Sequence, residues 1–431
     1  MLKKNFVANL HWRGMIHNIV PGTEAYLNQG GTMGYIGFDP SASSLHLGNL
    51  VTIMLLRHLQ EAGHTPIALL GGATGMIGDP SGRTQERLFL TEEVLRYNEA
   101  CIGKQLEKFL DFSNGKNRAR LLNNLDWFKK ESLLGFLREV GKHISIGYMM
   151  AKDSVKQRIN TGISYTEFAY QLLQGYDFYH LYLHEGVSLQ MGGSDQWGNL
   201  TTGVELIRKK IQSQAFALTV PLLTRADGTK FGKTASGDNI WLDPEKTSPY
   251  QFYQFLLNCS DHEAEKLIKI FHGCRQEEVE SLILAHQSRP EKRMVQQILA
   301  EIVTTMVHSA AACKKAIWCT GMLFDGAVST DQLFALSEED LLMICTTIPK
   351  INITSHTFME VDTILSLLSV ATGGAILSSK SEAKRIITSR GVMINKVLIL
   401  DPFEKPNLML LHNRYLLVQK GKKSHYLIVV Q

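Results

Sequence analysis

Two apolar, β-rich runs in this chain end on paired glycines. Pro66-Ile67-Ala68-Leu69-Leu70 runs into Gly71-Gly72, and Val187-Ser188-Leu189-Gln190-Met191 into Gly192-Gly193. Both stand among helical patterns, and strands alternating with helices fold as a parallel sheet, because each crossover must return over a face of the sheet. A third run, Met33-Gly34-Tyr35-Ile36-Gly37-Phe38, is broken by Asp39-Pro40 and followed by helical periodicity from about Leu45 to Glu61. The first half is therefore α/β, and a ligand site is expected at the carboxyl ends of the strands, where the glycines fall.

Two short segments carry the chemistry. Ser44-Leu45-His46-Leu47-Gly48-Asn49 opens the helical pattern, and the unpaired N–H groups of a helix N-terminus favour phosphate, with Gly48 letting a nucleotide come close. Lys230-Phe231-Gly232-Lys233-Thr234 sets two cations three residues apart in a loop announced by Asp227-Gly228, a loop able to close over a triphosphate. Alone, each is weak: a histidine at a helix start more often caps or packs, and a Lys-x-x-Lys loop is usually a solvated turn. In this order they resemble the two signatures of class I aminoacyl-tRNA synthetases, His-Ile-Gly-His and Lys-Met-Ser-Lys-Ser. The stretches between them narrow the resemblance to the bacterial type of tyrosyl-tRNA synthetase. They are Gly37-Phe38-Asp39-Pro40, the run from Gly71 through Asp79 to Gly82, Gly162-Ile163-Ser164-Tyr165-Thr166-Glu167-Phe168, Gly192-Gly193-Ser194-Asp195-Gln196-Trp197-Gly198-Asn199 and Thr247-Ser248-Pro249-Tyr250. The likeness covers nearly the whole chain and is strongest from about Tyr35 to Phe255.

The resemblance implies a tyrosine-tRNA ligase that joins tyrosine to ATP as tyrosyl-adenylate, releases pyrophosphate, and passes tyrosine to the 3′-terminal adenosine of tRNA(Tyr). Adenylate formation needs no protein nucleophile or base; it needs donors and cations that match charge developing on the phosphoryl oxygens. By position in the family motifs, Ser41 and His46 meet the phosphates, with Gly48 beside the nucleotide and Asn49 and Thr52 near the ribose. Lys230, Lys233 and Thr234 act from the loop, Arg83 and Arg87 reach the pyrophosphate, and Gly193 and Asp195 hold the ribose. Tyr35 and Asp177 match the family's residues at the tyrosine hydroxyl; Asp79, Tyr170 and Gln174 match those at the ammonium, with Gln196 near the carboxylate.

Spacing adds that Tyr170, Gln174 and Asp177, at i, i+4 and i+7, share one helix face. Read without the motifs, Tyr35 and Tyr170 are ordinary core aromatics, Asp177 a surface carboxylate, and Arg83 and Arg87 solvated. Two positions depart from the family pattern: Asn49 stands at the second signature histidine, and Phe231-Gly232 at Met-Ser. Asn still donates through its amide, and both loop cations are kept. Three other readings compete. A tryptophanyl-tRNA synthetase shares both signatures, but the Tyr35 and Asp177 pair argues against it. An RNA-binding protein that keeps only the fold is opposed by intact Lys230, Lys233, Asp79 and Asp195. A different nucleotidyltransferase would bind nucleotide without depending on tRNA.

By the same resemblance, residues 1–246 are a Rossmann-like catalytic domain with a dimer-forming insertion at about 122–190, helical in period from about Leu122 to Lys156. Residues 247–326, where the pattern turns almost wholly helical, form an α-helical anticodon-binding domain. A linker at 327–355 leads to a small α+β S4-like RNA-binding domain, 356–431. From Ile351 to Gln431 ten Lys and Arg stand against five Asp and Glu, so this end alone exceeds the chain's net charge of +4. A solvated face explains that as readily as RNA does. The sharper sign is Ser378-Ser379-Lys380 leading into a helix with Lys384 and Arg385, a surface suited to phosphate.

Six cysteines lie scattered without a Cys-x-x-Cys pair and read as reduced core residues. No histidines join them at zinc-ligand spacing, so no structural metal is expected, only magnesium accompanying ATP. The basic start is followed by no uninterrupted apolar core, and no run approaches the roughly 18 residues of a membrane span. A cytoplasmic homodimer without a membrane partner is the expectation.

Overall fold

Each of the three apolar runs becomes a strand in the computed structural model, which describes residues 5–81, 89–113, 115–159, 162–225, 228–234, 237–324, 328–421 and 424–431. Strands β2 (Met33–Phe38), β3 (Thr65–Leu70) and β5 (Leu189–Gly193) are buried almost without a break, as parallel strands covered on both faces must be. With β1 (Asn18–Ile19), β4 (Arg120–Asn123) and β6 (Phe216–Val220) they form a six-stranded sheet ordered β1-β6-β5-β2-β3-β4. Every pair is parallel except β1 with β6. The chain steps outward from β2 to β4, then returns to lay β5 on the other side of β2 with Gln190 opposite Tyr35. The order reverses there, and connections that diverge from such a point leave a crevice at the carboxyl ends.

The chain divides into two compact units, one of Met1–Thr247 with Leu256–Val307 and the other of Ser248–Phe255 with His308–Gln431. In the first, helix Leu47–Glu61 buries Leu50, Ile53, Met54 and Leu56 and packs on β2 and β3. Helices Tyr165–Glu185 and Trp197–Ile211 lie against each other, and one core joins Tyr35, Ile67, Leu69, Phe178, Leu181 and Leu206. After β4 come four short helices, Leu125–Phe128, Leu133–Glu139, Ile146–Met150 and Asp153–Ile159, in place of the long helical period read there.

The helical stretch at 247–326 is shared between the units. Helices Asp261–Phe271, Gln276–Ser288 and Met294–Val307 belong to the first, where buried Arg13 donates to the His272 carbonyl at 3.0 Å and the His58 ring meets the Ile270 carbonyl at 3.3 Å. Helix Ala310–Phe324 belongs to the second.

The second unit holds a five-stranded sheet ordered β7-β11-β10-β8-β9, from β7 (Lys350–Ile353), β8 (Val392–Ile394), β9 (Val397–Leu398), β10 (Tyr415–Lys420) and β11 (Ser424–Val430). β7 runs parallel to β11 and the other pairs are antiparallel. The stretch read as a linker, with Glu338 to Leu342 as a candidate helix, carries that helix at Glu338–Ile344, a further one at Thr330–Phe334, and an edge strand whose Ile353 enters the core with Leu367, Ile387, Leu416 and Ile428. Polar Lys350 and Asn352 hide that strand in the sequence, and its partner lies far along the chain. Among the described residues no helix is long and apolar enough to cross a membrane.

Candidate active site

The first signature is fixed from before the helix starts. The Ser44 hydroxyl accepts from Gln105 Nε2 at 3.0 Å and from the Asp243 N–H at 3.2 Å, while the Leu45 N–H donates to Gln105 Oε1 at 2.8 Å. His46 follows as the N-cap of Leu47–Glu61, in extended conformation. Asn49, three residues on, accepts the His46 N–H on its side-chain oxygen at 3.1 Å, the returning half of a capping box. The residue at the second signature histidine is therefore a cap, and its amide N–H2 stays uncommitted among the described residues. The Thr52 hydroxyl spends its proton on the Asn49 carbonyl at 2.8 Å, leaving only acceptor lone pairs for a ligand.

The second signature is laced to the first through main chain. The Ile240 N–H donates to the Gly232 carbonyl at 2.8 Å, Leu47 N–H to Ile240 at 2.8 Å, and Leu242 N–H to Leu45 at 2.9 Å, with a bridge between His46 and Trp241. Gly232 has φ +93, and a Cβ on it would sit 3.4 Å from Gly48 N and Leu47 Cβ. Phe231 is buried beside it. These two departures from the family signature thus form an apolar anchor and a close approach. Exposed Lys230 and Lys233 lie near enough to act on His46, whose imidazole is pushed down to about 4, by burial first and then by the two lysines. His46 is therefore neutral near pH 7. Thr234 closes the described loop, its hydroxyl accepting from the Asp238 N–H at 3.1 Å.

At the switch point the Tyr35 hydroxyl is buried with no hydrogen-bond partner among the described residues. Its pKa is raised by burial and then by Asp177. Asp177 is 2% exposed and accepts from Asn124 Nδ2 at 3.0 Å and Trp127 Nε1 at 2.9 Å. Burial nonetheless pushes its carboxyl up to about 8, overcoming those two donors, with help from the Asp39 charge. Asp39 accepts from the Tyr170 hydroxyl at 2.7 Å and from Thr74 at 2.8 Å, and Asn124 also donates to the Thr74 hydroxyl at 3.0 Å. Tyr170, Asp39, Thr74, Asn124, Trp127 and Asp177 therefore form one network.

Beside it, Asp79 accepts from the Ser81 N–H at 3.0 Å and from Gln196 Nε2 at 2.6 Å. The Gln174 side-chain oxygen is buried without a partner among the described residues. Burial and the Asp79 charge raise the Asp195 carboxyl, and Lys230 opposes them. Close approach explains two strand-end glycines: a Cβ on Gly71 would lie 2.0 Å from Asp39 Oδ1, and one on Gly193 2.7 Å from Asp195 Oδ1.

Ser41 is exposed, its N–H bonded to the Asp39 carbonyl at 2.8 Å. Arg83 and Arg87 lie outside the described residues. Lys380, Lys384 and Arg385 are exposed on helix Lys380–Thr388 of the second unit. Four residues of the network carried no role in the sequence reading. Asp39 and Thr74 sat inside the motifs, whereas Asn124 and Trp127 sat in none; Asn124 follows Asn123 at the end of β4, and Trp127 carried no sign at all. Among the described residues no three His, Cys, Asp or Glu gather to hold a metal ion.

A family model described as tRNA synthetases class I (W and Y) matches residues 28–324. The chain is 57% identical to the tyrosine–tRNA ligase of Amoebophilus asiaticus and 56% identical to that of Cytophaga hutchinsonii, in both cases over 99% of each chain. Its structure is similar to that of a C-terminally truncated mitochondrial tyrosyl-tRNA synthetase from Aspergillus nidulans, with a TM-score of 0.66 and 30% identity over 74% of this chain and 94% of that one. Full-length identity of this order selects tyrosine over tryptophan, and the chain belongs to the tyrosine–tRNA ligases, class I aminoacyl-tRNA synthetases that use ATP.

Proposed function

We propose that tyrosine lies in the crevice between β2 and β5 with its hydroxyl at Tyr35 and Asp177, its ammonium among Asp79, Tyr170 and Gln174, and its carboxylate near Gln196. The observation that carries this is a buried Tyr35 hydroxyl lacking a partner among the described residues, with Asp177 buried near it. An unsatisfied buried donor costs about 1–3 kcal/mol, which a phenol seated there would relieve. Asn124, Trp127 and Thr74 are positioning residues that hold Asp177 and Asp39.

ATP is proposed at the N-terminus of helix Leu47–Glu61, with Gly48, Asn49, Thr52, Gly193 and Asp195 at the nucleoside. His46, Ser41, Lys230, Lys233, Thr234, Arg83 and Arg87 serve the phosphates. The tyrosine carboxylate oxygen bonds to the α-phosphorus, the bond to the bridging oxygen breaks, and pyrophosphate leaves with that electron pair. No proton passes to the protein. Neutral His46 serves as a hydrogen-bond donor, and the two lysines supply the charge that grows in importance as the bond breaks. Magnesium is proposed only as the counterion that arrives on the triphosphate.

A second copy of the chain is proposed to cover the insertion, where Leu133, Leu134 and Ile146 are 74%, 78% and 71% exposed. The S4-like end is proposed to bind tRNA(Tyr) through Lys380, Lys384 and Arg385, the helical stretch at 247–326 to recognise its anticodon, and the enzyme to act in the cytoplasm. The test is pyrophosphate exchange run with tyrosine and with phenylalanine. Tyr35→Phe should lower the tyrosine-to-phenylalanine ratio of kcat/KM by about tenfold, or ~1.4 kcal/mol for one hydrogen bond. Asp177→Asn should lower it further, since an amide with one acceptor oxygen cannot satisfy both the Asn124 and Trp127 donors and still meet the hydroxyl. Unchanged ratios in both folded variants would put the hydroxyl elsewhere.

A further inference from the structure

We propose that a groove of the second unit, bounded by the helical segment from Ile364, helix Lys380–Thr388 and the turn at 401–404, seats one unpaired nucleotide of an RNA. Phe403 stacks under the base, Lys380 and Lys384 take the phosphate, and Asp362 accepts from the base's exocyclic amino group. This rests on reading the second unit as RNA-binding.

The groove is open to solvent, has a volume of about 440 Å³ and is lined by all four of these side chains. Its volume falls within the range of small-ligand sites. Phe403 is 59% exposed although a core containing Leu365 and Leu367 lies in the same unit. Its backbone is pinned on both sides: the Leu365 N–H donates to the Pro402 carbonyl at 3.0 Å, the Ile364 N–H to the Glu404 carbonyl at 2.9 Å, and its own N–H to Asp401 Oδ1 at 2.8 Å. The ring is thus presented to water by a turn that is fixed in place.

Lys384 Nζ stands 5.5 Å from the ring centroid. Neither Lys380 nor Lys384 makes an ion pair among the described residues; the acid on their own helix, Glu382, stands two residues from each and so faces away, bonded to Ser378 and to Lys420 at 3.1 Å. Asp362 likewise has no partner there. Two cations without an ion pair, one of them over the Phe403 ring, a carboxylate without a partner among the described residues, and an aromatic ring complement phosphate, amino edge and base, the combination by which single-stranded RNA is read. A phosphopeptide or an anionic membrane would engage the lysines but repel Asp362 and leave Phe403 unused. Cytosine, adenine and guanine carry the amino group that Asp362 accepts; uracil does not.

The test uses the full chain. Phe403→Ala should weaken binding of a tRNA(Tyr) transcript about tenfold, as for loss of one stacked base, while Phe403→Tyr stays near wild type and tyrosine-dependent pyrophosphate exchange is unchanged in both. By fluorescence anisotropy, labelled tetracytidylate should bind more tightly than tetrauridylate, and Asp362→Ala should abolish that preference. Wild-type transcript affinity in Phe403→Ala overturns the seat, as does equal binding of the two oligonucleotides with inorganic phosphate competing against both, which marks a plain anion site. If Phe403→Ala is silent but Lys380→Ala combined with Arg385→Ala still weakens transcript binding, the seat fails and the RNA-binding reading stands. If both are silent, that reading fails with it.

Discussion

Asp177 shows how burial can outweigh hydrogen bonding at one atom group. Two N–H donors favour its ionised form, yet desolvation holds the folded carboxyl at about 8, against 3.8 for an exposed aspartate. The fold therefore prefers the protonated form, so this contribution to stability is full below about pH 4 and is lost as the pH rises through 8. Asp177→Asn cannot titrate. The melting temperature of the wild type should accordingly fall relative to that of Asp177→Asn between pH 4 and pH 8, and parallel curves would show an ordinary, solvated carboxylate. The variant also turns an amide toward one of the donors Asn124 and Trp127, so a constant penalty of about 1–3 kcal/mol should underlie the pH-dependent difference.

Among the elements, the loop that carries Lys230 and Lys233 depends on one backbone conformation, that of Gly232. At φ +93, Gly232 occupies a region that costs an L-residue roughly 1–2 kcal/mol, and its neighbour Phe231 is buried. Gly232→Ala should loosen the ladder to Leu47 and Ile240. Adenylate formation should slow by about tenfold in a pre-steady-state measurement with the tyrosine dissociation constant unchanged. An undiminished rate would mean that the docked loop is not the reacting form. This loop and the strands differ in how far they could be read in advance. β2 was legible to the residue because its apolar run stops at Asp39-Pro40, and β3 and β5 were legible within two residues. β7 was not, since a strand of four residues with polar alternates owes its existence to β11. The same limit hid Trp127 and Asn124, which reach Asp177 across 50 and 53 residues and belong to no local pattern. Asn49 was visible as an oddity, but its capping bond to His46 was not, because Asn is a common polar residue in many settings.

For the whole molecule, the contacts within the second unit say where the chain can be cut. A cut at 355 would leave β7 without β11, and a cut at 307 would strip Phe252 of its ring contact with His308 at 5.1 Å and Gln254 of its bond to Thr320 at 2.6 Å. Ending the chain after Phe324 keeps both contacts and removes the five-stranded sheet entire. That protein should catalyse tyrosine-dependent pyrophosphate exchange much as the full chain does, because none of the proposed tyrosine and ATP residues lies beyond Thr234. Its charging of tRNA(Tyr) should fall sharply. Binding of tRNA by the full chain should weaken steeply with salt. Equal charging by the two forms would reduce the basic C-terminal end to solvated surface. The reversal of strand order that puts Gln190 opposite Tyr35 also governs how the protein is made. About 150 residues separate those two positions. At roughly 5–20 residues per second, β2 leaves the ribosome about 8 to 30 seconds before β5 exists to cover its edge. The crevice is therefore a late product of translation, and a nascent chain halted between β3 and β5 leaves one edge of β2 open, an edge that chaperones would have to shield.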